Sequence, residues 1–142
     1  MKKYVLLSLL MCAFWSCSVD DSLSDDYRVE ILPIRSVIDM PESVNYNDTY
    51  IISYTYERPS SCHAYSDLYY LSDGPYRTVA VINTVANETA SNICEPLTDE
   101  IVQKSFTFHV QNNAGTYIFQ FWQGEDENGV DQFLTFEVPI EQ

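Results

Sequence analysis

The chain has 142 residues and 21 Asp and Glu against seven Lys and Arg, a formal net charge of −14. A surface of that sign repels phosphate backbones and anionic head groups, which excludes nucleic acid as a partner and electrostatic adhesion to a membrane. Hydrophobic residues make up 46% of the chain, enough for a packed core, so it is not a disordered acidic tail.

Met1-Lys2-Lys3 opens the chain, followed by an apolar run from Tyr4 to Trp15, a small residue, Ser16, and then Cys17. A basic start, a short apolar run and a small residue are the parts of a secretory signal. The run is too short to cross a bilayer, which needs about 20 residues. A cysteine at the cut resembles the lipobox of bacterial lipoproteins, where it becomes the acylated first residue of the mature protein. The resemblance implies that residues 1–16 are a signal peptide, that Cys17 carries lipid, and that the domain is held to a membrane in an oxidising compartment. An unlipidated secretory signal cut nearby is the alternative. Cys12 fits less well, because Met11 before it is not small.

Ser18-Val19-Asp20-Asp21 resembles the export signal of lipoproteins in the Bacteroidota group, which implies display on the outer face of the outer membrane. The same residues also read as a hydrated acidic linker. Asp21-Ser22-Leu23 resembles the three-residue O-glycosylation site of that group, with Ser22 as acceptor. Residues 17–26 read as a linker, reaching about 30 Å when extended. Residues 27–142 are then one domain of ordinary size. The mature chain would carry five Lys and Arg against the same 21 acids, a net charge of −16.

With Cys12 removed and Cys17 acylated, Cys62 and Cys94 remain, and two cysteines in an exported chain have one intramolecular pairing. A metal pair completed by His63 is the competing reading, with too few and too distant ligands for a good zinc site.

Within 27–142 the pattern predicts strands throughout. Arg28–Met40 is the first, with Pro33 marking an edge, a bulge or a switch between sheets, since proline donates no ladder hydrogen bond. Thr49–Glu57 alternates, with Tyr50, Ile52, Tyr54 and Tyr56 on one face. His63–Leu71 is the third and Tyr76–Ala86 the fourth, separated by a turn at Ser72-Asp73-Gly74-Pro75. A polar loop, 87–99, carries Cys94, and a short helical turn is expected at Thr98–Val102. Val102–Gln111 is the fifth strand, with Phe106, Phe108 and Val110 facing in. Tyr117–Gln123 is the sixth, with Tyr117, Phe119 and Phe121 facing in. Asn128-Gly129 signals a hairpin turn into the seventh, Asp131–Ile140.

Seven short strands and no long amphipathic helix predict an all-β fold, a seven-stranded sandwich, with a small β-barrel as the rival. Ala114-Gly115-Thr116-Tyr117 resembles the approach to the sixth strand of immunoglobulin-like domains. That likeness implies a tyrosine corner, with the Tyr117 hydroxyl bonded back to upstream backbone. The whole chain resembles the small immunoglobulin-like lipoproteins of Bacteroidota, a likeness that implies no activity.

No nucleophile–base–orienter motif accompanies His63 or His109, which read as surface or half-buried histidines. Among 21 acids, chance carboxylate pairs are certain and carry no signal for glycoside hydrolysis. Asp126–Asp131 groups oxygen donors that suit calcium, but Asn-Gly turn chemistry explains the same residues. No metal or other cofactor is therefore expected. The aromatic residues Tyr69, Tyr70, Tyr76 and Trp122 are the candidate ligand-binding set. Trp122 has parity opposite to Phe119 and Phe121, which turns it away from the core. Such rings stack on sugars or anchor a protein partner; cross-strand packing on an outer sheet face is the plainer reading. The expectation is a non-catalytic surface module for an extracellular glycan or protein, with an accessory subunit of an envelope complex as the alternative.

Overall fold

The computed structural model describes residues 26–141, which form nine strands and no helix. They are β1 (Tyr27–Leu32), β2 (Ile34–Ile38), β3 (Val44–Asn45), β4 (Thr49–Glu57), β5 (His63–Asp73), β6 (Tyr76–Ala86), β7 (Ile101–His109), β8 (Thr116–Glu125) and β9 (Asp131–Glu141). Two sheets face each other across one core, so the fold is a β-sandwich and not a closed barrel. The expected signal peptide at 1–16, the expected lipid and glycan acceptors Cys17 and Ser22, and the expected linker up to residue 25 lie outside the described residues.

The strand count is nine where seven were expected, and Pro33 accounts for part of the difference. It ends β1, which pairs with β6, and the chain resumes as β2 in the opposite sheet, paired with β4. The expected strand Arg28–Met40 is therefore two strands joined by a switch between layers. The other addition, β3, is two residues long and pairs in parallel with β9. A pair of residues has no period to read. The helical turn expected at Thr98–Val102 is absent. Glu100 accepts the Arg58 amide hydrogen at 2.9 Å, and Ile101 and Val102 already pair with Glu57 and Tyr56. Ladder bonds to β4 claim the backbone groups that a helical turn would need.

In the larger sheet β6 is the hub. β5 lines one of its edges from end to end. On the other edge two strands share the space: β1 runs antiparallel along Val81–Ala86, and β8 runs parallel along Tyr76–Val79. β9 continues the sheet beyond β8, and β3 closes it. The smaller sheet has the order β2-β4-β7.

The core follows from two-residue alternation. Ile52, Tyr54, Tyr56 and Phe108 of the small sheet meet Val79, Val81, Tyr117, Phe119 and Phe121 of the large one, all buried. Phe108 sits edge-on to Tyr117 and Phe119, with ring centroids 4.9 and 5.0 Å apart. Such pairs contribute about 0.5–1.5 kcal/mol each beyond their buried area. The tyrosine corner expected from the immunoglobulin resemblance is present: the Tyr117 hydroxyl accepts the amide hydrogens of Gln111 and Asn112 at 3.1 and 2.9 Å.

Cys62 and Cys94 form the expected disulfide, with their Cα atoms 5.2 Å apart. It fastens the loop before β7 to the start of β5. Backbone bonds from Ser61 to Glu95 and from Leu97 to Pro59 hold the same loop, both at 2.9 Å.

Candidate functional site

A cleft of about 430 Å³ opens on the outer face of the large sheet. It forms where β1 and β8 meet on the shared edge of β6. Its floor is Thr78 and Ala80 of β6, and larger side chains rise around them: Tyr69 of β5, Ile31 of β1, Trp122 of β8 and Phe133 of β9. Register places Tyr69 opposite Ala80 and Trp122 opposite Phe133. A small residue among large ones makes the depression, and its walls leave Ala80 only 4% exposed although it faces outward.

One end of the cleft is acidic, lined by Glu125 and Asp131. The ladder slips between Trp122 and Glu125, and Gly124 takes φ of 100°, a conformation glycine adopts without strain. Across this bulge the Trp122 Nε1–H donates to Asp131 Oδ1 at 2.7 Å. The bond fixes the ring plane and uses its only donor. Trp122 thus offers the cleft an apolar face, while the remaining carboxylate oxygens can accept hydroxyl hydrogens.

The four aromatic residues singled out in the sequence do not form one site. Tyr69 and Trp122 line the cleft. Tyr76 has the parity of Thr78 and Ala80, so it shares their sheet face, but it lies outside the cleft and is exposed. Tyr70 faces the other way: it pairs in register with Val79, and its ring lies 5.9 Å from that of Phe106 in the facing sheet. Neighbouring strand residues point to opposite faces, so Tyr69 and Tyr70 cannot act together. Ile31 and Phe133 are the large apolar cleft residues that sequence reasoning missed, along with Thr78, Ala80 and Glu125. The apolar alternation of Tyr27, Val29 and Ile31, all exposed on the outer face of β1, was the available signal.

The reading of His63 as a surface or half-buried residue is corrected: it is 7% exposed, with both ring nitrogens engaged. Nδ1 is 2.8 Å from Ser60 Oγ, and Nε2 is 3.4 Å from Glu30 Oε2. This places serine, histidine and glutamate in series. Ser60 Oγ also accepts the Cys62 amide hydrogen at 3.3 Å, so the series ties the disulfide loop to β1. Ser60, His63 and Glu30 do not line the outer-face cleft. His109 is exposed, its Nδ1 3.2 Å from Thr49 Oγ1.

The turn at Asp126–Asp131 is held by its own hydrogen bonds. Asp126 Oδ1 accepts the amide hydrogens of Asn128 and Val130 at 2.8 and 3.0 Å, and these bonds hold its carboxyl below the usual aspartate range. Among the described residues no cluster of three His, Cys, Asp or Glu side chains is disposed to hold a metal ion.

The chain matches no protein-family model, and no curated protein or solved structure is significantly similar to it.

Proposed function

We propose that this is a surface lipoprotein of the Bacteroidota type, anchored through Cys17, whose β-sandwich binds an extracellular glycan without catalysing a reaction. The observation that carries the reading is the cleft in which Tyr69 and the Asp131-braced Trp122 present ring faces beside two carboxylates. Sugar C–H faces stack on such rings, and carboxylates accept sugar hydroxyl hydrogens. Glu125 and Asp131 disfavour an acidic sugar, so the ligand class is a neutral one. The lipobox-like sequence, the acidic residues after Cys17 and the disulfide between Cys62 and Cys94 agree with an exported protein.

A glycan array probed with the wild-type chain and Trp122→Ala tests this. Retention of neutral glycans by the wild type and at least tenfold weaker retention by the variant is the expected result, corresponding to about 1.4 kcal/mol. Equal retention by both defeats the reading. For the anchor, Cys17→Ala should move the protein from the membrane to the soluble fraction, since lipid would be its only membrane attachment. Protease added to intact cells should digest the wild type if it faces outward.

A second reading, a protein partner, is favoured by the exposed apolar row Tyr27, Val29 and Ile31 beside the cleft. Val29→Glu separates the two: it should abolish capture of a surface protein and leave glycan retention intact.

A further inference from the structure

Arg77 is 6% exposed and faces the interior of the sandwich from β6. Its Nη1 donates to the carbonyl oxygens of Gly74 and Tyr76 at 2.8 and 2.7 Å, and its guanidinium carbon lies 4.8 Å from the centroid of the Tyr117 ring. Among the described residues no carboxylate oxygen comes within 4.0 Å of it. That is unlike Arg28, Arg35 and Arg58, which pair with Glu30, Glu57 and Glu100. A buried charge is costly unless it is paired, and two carbonyls and a ring face offset that cost only in part. The Tyr70 hydroxyl also stands within reach of this guanidinium, a neutral partner that leaves the charge unpaired.

This guanidinium lines a cleft of about 480 Å³ where the free edges of the two sheets, β5 and β7, face each other. Leu68, Tyr70, Phe106 and Phe108 supply an apolar wall, and His109 and Gln111 stand at the rim. The cleft is unrelated to the outer-face groove, because Tyr70 and Tyr69 point to opposite sides of β5. Lys104, which also has no carboxylate partner among the described residues, lies near the same seam with Nζ 4.6 Å from the Tyr65 ring centroid.

We infer that the cleft between β5 and β7 binds a small monocarboxylate with an apolar body, its carboxylate on the Arg77 guanidinium and its body against Tyr70 and Phe106. A guanidinium edge offers two parallel N–H donors at the spacing of a carboxylate, which a phosphate shares. The charge of the whole chain decides between them. The protein is strongly acidic and repels anions in proportion to their charge, so a single negative charge is the best match.

The test is titration of the ¹⁵N-labelled full chain with 3-phenylpropionate and, separately, with its uncharged amide. The acid should saturate amide shifts at Leu68, Tyr70, Ser72 and Phe106, and the amide should bind at least about tenfold more weakly. Arg77→Lys should remove about tenfold of the acid's affinity and leave the amide's unchanged. If Arg77→Lys does not fold, Tyr70→Leu, at a partly exposed position, is the second variant and should weaken acid and amide alike. No saturable shift at these residues up to about 10 mM acid, or equal affinity for acid and amide, overturns the inference.

Discussion

The hydroxyl oxygen of Tyr117 lies 2.9 Å from the amide nitrogen of Asn112 and accepts its hydrogen, in a side chain that is wholly buried. The same oxygen accepts from Gln111, so one hydroxyl satisfies two amides of the turn that follows β7. It joins the end of the small sheet to the centre of the large one. Tyr117→Phe keeps the ring contacts and removes only this acceptor. The expected loss is about 1–3 kcal/mol, the cost of leaving part-buried donors unpaired. A denaturant midpoint unchanged from wild type would show that water replaces the hydroxyl.

The Cys62–Cys94 bond closes a segment with a sequence separation of 32. On the chain-entropy account such a link contributes about 3–4 kcal/mol. The double variant Cys62→Ser, Cys94→Ser should be destabilised by about that much in urea. The same measurement on wild type with reductant should agree, and two free thiols in the untreated exported protein would remove the basis for both.

Burial raises the hydroxyl pKa of Tyr54, Tyr56 and Tyr70 above the tyrosine value of 10.0, and at Tyr70 the charge of Arg77 opposes the shift. These hydroxyls hold their protons more tightly folded than unfolded. Their contribution to stability is therefore fully present below about pH 10 and is lost as pH rises above it. A tyrosinate absorbance titration should show exposed tyrosines ionising first, and a later fraction ionising together with loss of tertiary structure. Smooth ionisation of every tyrosine near pH 10 in a folded protein would contradict this.

At the hairpin the sign is reversed. Backbone bonds hold the Asp126 carboxyl below its ordinary value of 3.8, so its stabilisation is present above that value and is lost as pH falls through the lowered one. A carboxyl ¹³C titration should place its midpoint below that of an unfolded aspartate. The amides of Asn128 and Val130 should shift in the same step. A midpoint at or above the ordinary value would refute the bonding scheme.

Much of this fold was legible in the sequence because alternation is a strong signal where one face is buried. Thr49–Glu57 and Tyr76–Ala86 are strands over the expected residues, and Phe106, Phe108, Tyr117, Phe119 and Phe121 face in as their parity requires. Pairing partners were not legible, because parity says which face a residue takes and not which strand lies beside it. The clefts depend on pairing. Ala80 becomes a floor only because Tyr69 lies opposite it and Trp122 beyond it. Lys104 has the inward parity of Phe106, yet its partner Tyr65 comes from a strand of the other sheet. Ser60, His63 and Glu30 meet through the β1–β6–β5 ladders, and no local spacing announces that meeting.

The switch at Pro33 has a mechanical consequence. A pull applied at the start of β1 first loads the β1–β6 ladder, which belongs to the large sheet. Once that ladder parts, the strain passes through Pro33 to β2 and the β2–β4 ladder in the opposite sheet. Tension from that end is thus met by two ladders in sequence, and the second bears it only after the first has given way. A copy of this domain pulled from that end would part β1 from β6 before β2 from β4, and its core would open first at Leu32.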